Sequence, residues 1–333
     1  MKMKQISIIF VLLLMLCHVN SVKAFYSMSL KPGEISTNEE GYKLRVVLKM
    51  KWGDSKDRIS IEKKGDKKYG PDLFAVDDSN NIYFNDPGKK RLVKYSPSGE
   101  ITFSDNKAEI AGVFGDGKII NKRGYIYDAK REFLYNINLP ISNNNIRKVF
   151  QNTEGVFIIY DNGQYLEIKQ NEIEDLLRGG KKSLFSKKEN EQKILNGIPS
   201  GYSGFIYSLT DLVTKGKINI LEKDKIIKTI SITDTYKPDE EKPDIHSILG
   251  DDEKGNIYIL SGDDDSSGRR VRKMMKYDKN GKLLLYTRSF NNWSELEMNS
   301  ENIFAVDKKG NIYQLCSFEK GVSIMCWENN KKE

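Results

Sequence analysis

The chain has 333 residues, of which 38% are hydrophobic, 10% aromatic and 30% charged, and its formal net charge is +7. The aromatic content is too high for a disordered chain, and the charged content is too high for a protein with several membrane spans. Basic and acidic clusters alternate along the sequence, so positive charge is not concentrated in one region. This argues against a nucleic-acid-binding protein.

The first 24 residues have the pattern of a secretory signal peptide. Two lysines precede an apolar run at 6–16, and a small-residue cleavage site ends at Ala24. The run is too short to cross a bilayer, which takes about 20 residues. The alternative is a lipoprotein anchored through Cys17, although a leucine stands where a lipobox has a small residue. We therefore predict that residues 25–333 form a single secreted or periplasmic domain without a membrane span.

Three segments repeat one pattern: a short apolar strand, an acidic residue, a polar turn and a second strand. They are Leu73 to Phe84, Ile248 to Tyr258 and Ile303 to Tyr313, with Asp77, Asp251 and Asp307 aligned as the acidic residue. Weaker copies are centred near residues 120, 157 and 206, which makes six units at spacings of about 37 to 55 residues. Such a period, with several strands in each unit, is typical of a β-propeller.

The strong units continue into a third and a fourth strand, whereas the last unit has only three strands before the sequence ends. The segment 42–50 has the pattern of a strand but belongs to no unit. We predict that it supplies the fourth strand of the last blade and so closes the ring, because an unpaired edge would be a liability. The prediction is an all-β, six-bladed β-propeller closed by an N-terminal strand. Residues 170–197 break the pattern and predict an insertion in the third blade, either a solvated loop or a lid over one face.

The first unit resembles an NHL-type repeat. The residues that carry this resemblance are Gly70-Pro71, Phe74-Ala75-Val76-Asp77, Asn81-Ile82-Tyr83, Asp86, Arg91 to Tyr95 and Gly99. More broadly, the chain is similar to six-bladed propellers of secreted bacterial proteins. The match is good in units one, five and six and poor in units two to four. Because its residues are turn formers and strand core positions, the resemblance implies architecture rather than activity.

Histidine is too scarce for several kinds of catalytic site. His246 is the one histidine beyond the predicted signal peptide, so a zinc or iron site built from several histidines is excluded. The metal site of amidating lyases, which some propellers of this family carry, is excluded on the same ground. No Gly-x-Ser-x-Gly motif is present, and we expect His246 to lie at the surface or rim rather than to act in a catalytic triad.

Calcium is the metal that the sequence leaves open. Asp263 to Gly268 begin like an EF-hand loop, but Met274 stands where a bidentate glutamate is required. Propellers of the gluconolactonase type hold calcium in the central channel with acidic and amide side chains that lie far apart in sequence. No such set is evident here. We therefore expect no cofactor, with channel calcium as the alternative.

We predict a non-enzymatic propeller that binds a protein, peptide or glycan through the loops of one face. The loops assigned between second and third strands are 85–91, 121–124, 161–163, 211–216, 261–270 and 318–321. Arg91, Arg123 and Arg270 are the candidate binding residues, because arginine pairs carboxylates through two hydrogen bonds. The alternatives are a calcium-dependent hydrolase or lyase of the gluconolactonase or strictosidine-synthase type, and a structural module of a larger surface assembly.

Cys316 and Cys326 fall on the two strands of the last hairpin, and export would place them where disulfides persist. They face each other if the hairpin has a three-residue loop at 320–322. With a two-residue turn at 320–321, they point to opposite sides of the sheet. We predict the disulfide. The alternative is a pair of buried free thiols.

Overall fold

The computed structural model describes residues 35–37, 42–71, 73–105, 110–121, 123–128, 132–137, 139, 146–151, 154–160, 164–178, 194–202, 205–210, 217–222, 225–231, 244–264, 270–290, 296–298 and 303–329. Among these residues it contains 27 β-strands, a short 3-10 helix at Pro87–Lys89 and one α-helix. The predicted signal peptide and the alternative lipid anchor lie outside the described residues.

Six sheets follow one another along the chain, and each is a blade that we number in chain order. The strands before the first blade are β1 (Ile35–Thr37), β2 (Tyr42–Lys51), β3 (Glu62–Lys64) and β4 (Lys67–Tyr69). The strands of blade 1 are β5 (Phe74–Val76), β6 (Ile82–Asp86), β7 (Arg91–Tyr95) and β8 (Ile101–Asp105). Those of blade 2 are β9 (Ile110–Val113), β10 (Ile119–Asn121), β11 (Tyr125–Tyr127) and β12 (Phe133–Asn136). Those of blade 3 are β13 (Ile146–Gln151), β14 (Gly155–Tyr160), β15 (Gln164–Lys169) and β16 (Ile194–Asn196).

The second half of the ring repeats this order. The strands of blade 4 are β17 (Ile198–Pro199), β18 (Ile206–Thr210), β19 (Lys217–Glu222) and β20 (Lys225–Ser231). Those of blade 5 are β21 (Asp244–Asp251), β22 (Ile257–Asp264), β23 (Arg270–Tyr277) and β24 (Leu283–Arg288). Those of blade 6 are β25 (Phe304–Val306), β26 (Ile312–Phe318) and β27 (Gly321–Asn329), with β2 and then β1 on its outer side.

The chain is a six-bladed β-propeller, as predicted. The first strand of each blade faces the axis, and neighbouring strands within a blade are antiparallel. We call the end of the ring that carries the turns between first and second strands the A–B face. The opposite end, with the turns between second and third strands, is the B–C face. In blade 6, β2 pairs with β27 from Tyr42–Asn329 to Lys51–Gly321 and occupies the position of a fourth strand.

The apolar core lies between neighbouring blades rather than in a single centre. Between blades 1 and 2, for example, Leu73, Tyr83 and Leu92 pack against Ile110 and Ile119. Similar clusters join blades 2 and 3, blades 3 to 5, and blades 5, 6 and 1. Each blade therefore depends on its neighbours to bury its apolar faces, as expected for repeated units that cannot form a core alone.

The predicted insertion at 170–197 begins with a helix and ends with the outer strand of blade 3. Helix α1 (Gln170–Arg178) follows β15 and precedes β16. Ile173 of this helix is 2% exposed and packs into the core between blades 2 and 3. Residues 179–193 lie outside the described part of the chain. The helix is therefore attached to its own blade through an apolar contact.

The predicted disulfide between Cys316 and Cys326 is wrong. The hairpin turns tightly at 319–320, so that Phe318 pairs with Gly321. The loop has two residues, as in the second alternative considered from the sequence, but it lies one residue earlier in the chain. It places Cys316 opposite Ser323 and Cys326 opposite Tyr313. The two cysteines lie three positions apart, on opposite faces of the sheet, and both are buried free thiols. Burial raises the pKa of the Cys316 thiol well above its usual value.

Buried tyrosines predict how the fold responds to alkaline pH. Burial raises the pKa of Tyr95, Tyr135 and Tyr160 to about 12, from 10.0. Because the folded pKa is raised, their contribution to stability is complete below pH 10 and is lost as the pH rises through about 12. We expect the Tm to fall over this window and phenolate absorbance to rise with unfolding.

Tyr160→Phe provides the control for this prediction. The Tyr160 hydroxyl is buried and has no hydrogen-bond partner in the described part of the chain, so its removal leaves no donor unpaired. The variant should show a shallower fall in Tm between pH 10 and pH 12. An unchanged slope would contradict the assignment of the transition to buried tyrosines.

Candidate functional site

A cavity of about 150 Å³ lies on the propeller axis. All six inner strands contribute to its wall, and one apolar residue from each is Val76, Val113, Val149, Pro199, Leu249 and Val306. Asp78, Asp251, Asp307 and Tyr202 line it where the inner strands end, at the A–B face. We call this group, together with Glu253, the A–B mouth.

One hydrogen-bond pattern builds the A–B turns of blades 1, 5 and 6. The carboxylate of Asp77 accepts hydrogen bonds from the backbone N–H and side-chain amide of Asn81, each at 2.8 Å, and from the Tyr83 hydroxyl at 2.9 Å. Asp252 and Asp307 accept the equivalent bonds in blades 5 and 6. These aspartates hold the turns through several donors each, which explains why the sequence repeats an acidic residue there.

The sequence alignment of the fifth unit is corrected by one residue. It placed Asp251 with Asp77, but Asp252 stands four residues before Asn256, as Asp77 stands four before Asn81. The register of β21 shifts between Ile248 and Gly250, where an extra residue enters the strand. Such a bulge redirects the side chains that follow it. Asp251 therefore does not hold the turn of its own blade.

Asp251 substitutes for the acidic residue that blade 4 lacks. The hydroxyl of Ser200 donates a short hydrogen bond to its carboxylate. The N–H of Gly201 donates at 2.9 Å and the Tyr207 hydroxyl at 3.2 Å. The Tyr207 hydroxyl thus donates to an aspartate of the neighbouring blade, whereas the Tyr83 hydroxyl donates to an aspartate of its own blade. This contact holds the blade 4 turn against blade 5.

Asp251 and Lys148 are two oppositely charged residues of the channel wall. Asp251 is 5% exposed, and burial raises the pKa of its carboxyl group, against the opposing effect of its three donors and of Lys148. Lys148 projects from blade 3 and its Nζ lies 3.4 Å from the Leu249 carbonyl oxygen. Lys148 therefore offsets part of the negative charge of Asp251 in the channel wall.

The rim of the A–B mouth is acidic around one tyrosine. Tyr202 follows the inner strand of blade 4, and it is 45% exposed. Burial of its hydroxyl and the nearby carboxylates of Asp78, Asp251, Asp307 and Glu253 raise the pKa of Tyr202. These carboxylates belong to blades 1, 5 and 6, so acidic groups of three other blades act on the Tyr202 hydroxyl.

Arg91 is not available for binding as predicted, because its side chain is buried. It is 5% exposed, and its Nε lies 3.0 Å from a carboxylate oxygen of the fully buried Asp86. Its Nη2 donates to the Arg58 carbonyl oxygen at 2.8 Å, while Asp86 also accepts from the Ser60 N–H at 3.0 Å. The pair fastens residues 52–60 over the second turn of blade 1.

The remaining predicted positions are on the B–C face, away from the A–B mouth. All six loops named from the sequence lie between second and third strands. Arg123 is exposed in the blade 2 turn, and its N–H donates to Asn121. Arg270 begins β23 opposite Asp264, and His246 lies within β21. The side chains of Arg270 and His246, and most of the loop 263–268, lie outside the described part of the structure.

Neither a metal centre nor a membrane-spanning helix is found among the described residues. No three His, Cys, Asp or Glu side chains there come together in a way that could hold a metal ion. Within the same ranges, no helix is long and apolar enough to cross a bilayer.

No protein-family model and no curated protein matches the chain. Similar solved structures include streptogramin B lyase, at 13% identity over 89% of this chain and 93% of that chain, with a TM-score of 0.40. A DUF4221 family member from Bacteroides vulgatus has 10% identity over 87% and 99%, with a TM-score of 0.45. Regucalcin, a calcium-binding protein from Agrobacterium tumefaciens, has 10% identity over 78% and 92%, with a TM-score of 0.42. At these values the likenesses carry no argument about function, and the NHL-type resemblance stays a prediction.

Sequence reasoning missed the A–B mouth although part of its signal was present. The repeated aspartates mark the A–B turns, and the next residue is also acidic in blade 1 (Asp78) and blade 5 (Glu253). Because a closed ring places those turns around one axis, the sequence could have predicted that these acidic residues lie close together. The position of Tyr202 had no such signal, because blade 4 lacks the repeated aspartate.

Proposed function

We propose that the protein is an exported, non-enzymatic β-propeller that binds a protein, peptide or glycan, and that the ligand contacts the A–B mouth. The observation that carries this proposal is the partly exposed Tyr202 ring at the open end of an axial cavity, among carboxylates from other blades. Concave sites with an aromatic group and a few polar groups are where proteins hold ligands.

The hydrogen bonding of the three turn aspartates and of Asp251 supports a structural role for these four carboxylates rather than a catalytic one. Asp77, Asp252 and Asp307 each accept bonds from an asparagine and a tyrosine that shape the turn. Asp251 accepts bonds from Ser200, Gly201 and Tyr207 of the neighbouring blade. A general acid or base needs to exchange a proton with a substrate. Groups that hold the scaffold through three or more donors are poorly suited to that exchange.

Peptide and glycan arrays test the proposal directly. We expect the wild-type protein to bind a defined subset of features, and Tyr202→Ala to lose that binding while its circular dichroism and Tm stay unchanged. Binding should persist in a calcium chelator, in contrast to the rival calcium-dependent hydrolase or lyase. Absence of any wild-type binding on both arrays, or binding unchanged in Tyr202→Ala, would contradict the proposal.

A further inference from the structure

The A–B mouth has two parts of a cation-binding site, an aromatic ring and carboxylates. Tyr202 supplies an exposed ring, and no lysine or arginine of the described ranges lies over that ring. The carboxylates of Asp78 and Glu253 are exposed, and no hydrogen bond or ion pair engages either of them in the described part of the molecule. We propose that the group bound there is a protonated amine or a guanidinium, such as a lysine or arginine side chain of a peptide; this inference rests on the proposed function.

The same chain places two of its own lysines over tyrosine rings whose hydroxyls donate to a carboxylate. In blade 5, the Lys276 Nζ lies 5.7 Å from the centre of the Tyr258 ring and 3.7 Å from an Asp252 carboxylate oxygen. In blade 1, the Lys94 Nζ lies 5.2 Å from the Tyr83 ring, whose hydroxyl donates to Asp77. An ammonium group over a tyrosine face is attracted by the ring, and a nearby carboxylate adds to that attraction.

Charge at the mouth favours a cation over the other ligand classes. An anion bound beside Tyr202 would meet the carboxylates of Asp78, Asp307 and Glu253. The whole chain carries a formal charge of +7, so a cationic ligand gains no general attraction and needs this local field. A divalent metal is disfavoured because no suitable group of three ligands exists among the described residues.

The size of the cavity limits what can enter. At about 150 Å³, it is smaller than a pocket for a drug-sized molecule, which takes roughly 300–1,000 Å³. A single side chain at the mouth therefore fits better than a complete ligand inside the channel. Lys148 in the channel wall repels a cation, so the bound charge remains at the rim beside Tyr202.

Calorimetric titration with tetralysine tests the inference on the full-length protein. We expect binding that weakens at higher salt, with tetraglutamate and an uncharged oligosaccharide showing none. Asp78→Asn combined with Glu253→Gln should weaken tetralysine binding about tenfold. Tyr202→Phe should retain it, because the ring is kept, and Tyr202→Ala should lose it.

The matched control removes two acidic charges from the other face. Asp54 and Glu319 are exposed near the second turns of blades 1 and 6, and Asp54→Asn with Glu319→Gln should leave the affinity unchanged. Equal weakening by the two double variants would mean general charge attraction and would overturn the inference. Failure of tetralysine to bind would also overturn it. In that case, Tyr202-dependent binding on the arrays would leave the proposed function standing, and absence of array binding would remove both.

Discussion

Deleting residues 25–51 is expected to unfold the ring rather than trim a tail. The strand β2 buries Leu44, Val46, Leu48 and Met50 against blade 6 and pairs along the length of β27. Burial of each such side chain contributes about 1.5–3 kcal/mol, so the four together reach about 6–12 kcal/mol, similar to the whole stability of a typical domain at about 5–15 kcal/mol. The truncated protein should show no cooperative thermal transition by circular dichroism.

A shorter deletion provides the control for this prediction. Removal of residues 25–37 takes away β1, which pairs with β2 through only three residues, and leaves β2 in place. This variant should keep a cooperative transition at a slightly lower Tm. If the 25–51 deletion melts as cooperatively as the full-length protein, β2 does not close the ring and blade 6 is complete without it.

Asp252→Ala is expected to be the most destabilising single substitution at the A–B turns. It removes the acceptor for Asn256 and Tyr258 and takes the carboxylate away from Lys276, whose side chain is 2% exposed. Breaking a buried, hydrogen-bonded ion pair from one side costs about 3–5 kcal/mol. Urea denaturation followed by tryptophan fluorescence should show this loss as a lower midpoint with an unchanged slope.

Asp278→Ala is the matched comparison. Asp278 shapes a turn in the same blade by accepting bonds from the backbone of Asn280 and Lys282, but this turn lies at the surface. Its loss should cost about 1 kcal/mol. Equal effects of the two substitutions would show that the repeated aspartate acts only on its local turn, and that the buried tyrosine and lysine contribute nothing further.

The repeat pattern made the fold predictable, but single-residue details were beyond it. Alternation, turn residues and a period of tens of residues identify strands and blades, since both depend on short stretches of sequence. The bulge in β21 and the tight turn at 319–320 each move the register by one or more residues. Such shifts leave the apolar pattern of the sequence almost unchanged, but they decide which side chains lie opposite each other. For this reason the predictions for Asp251 and for the Cys316–Cys326 pair were wrong.

The candidate site was less predictable than the fold, for two physical reasons. Exposure of a loop arginine depends on what packs over it, and residues 52–60 cover Arg91 from a distant part of the chain. The pairing of Asp86 with Arg91 could have been predicted from the sequence, because a four-residue connection places them opposite each other. Convergence of Tyr202 with acidic residues of other blades depends on ring closure, which no local pattern contains.

The central claim is that ligands bind at the A–B mouth and not at the loops of the B–C face. The most direct test is a titration of the strongest array ligand into Tyr202→Ala and Arg123→Ala in parallel, with both variants first shown to keep the wild-type Tm. We predict that Tyr202→Ala abolishes binding and that Arg123→Ala leaves the affinity within a factor of about two, as for a residue outside the interface. Loss of binding in Arg123→Ala with full binding in Tyr202→Ala would contradict the claim and place the site on the opposite face.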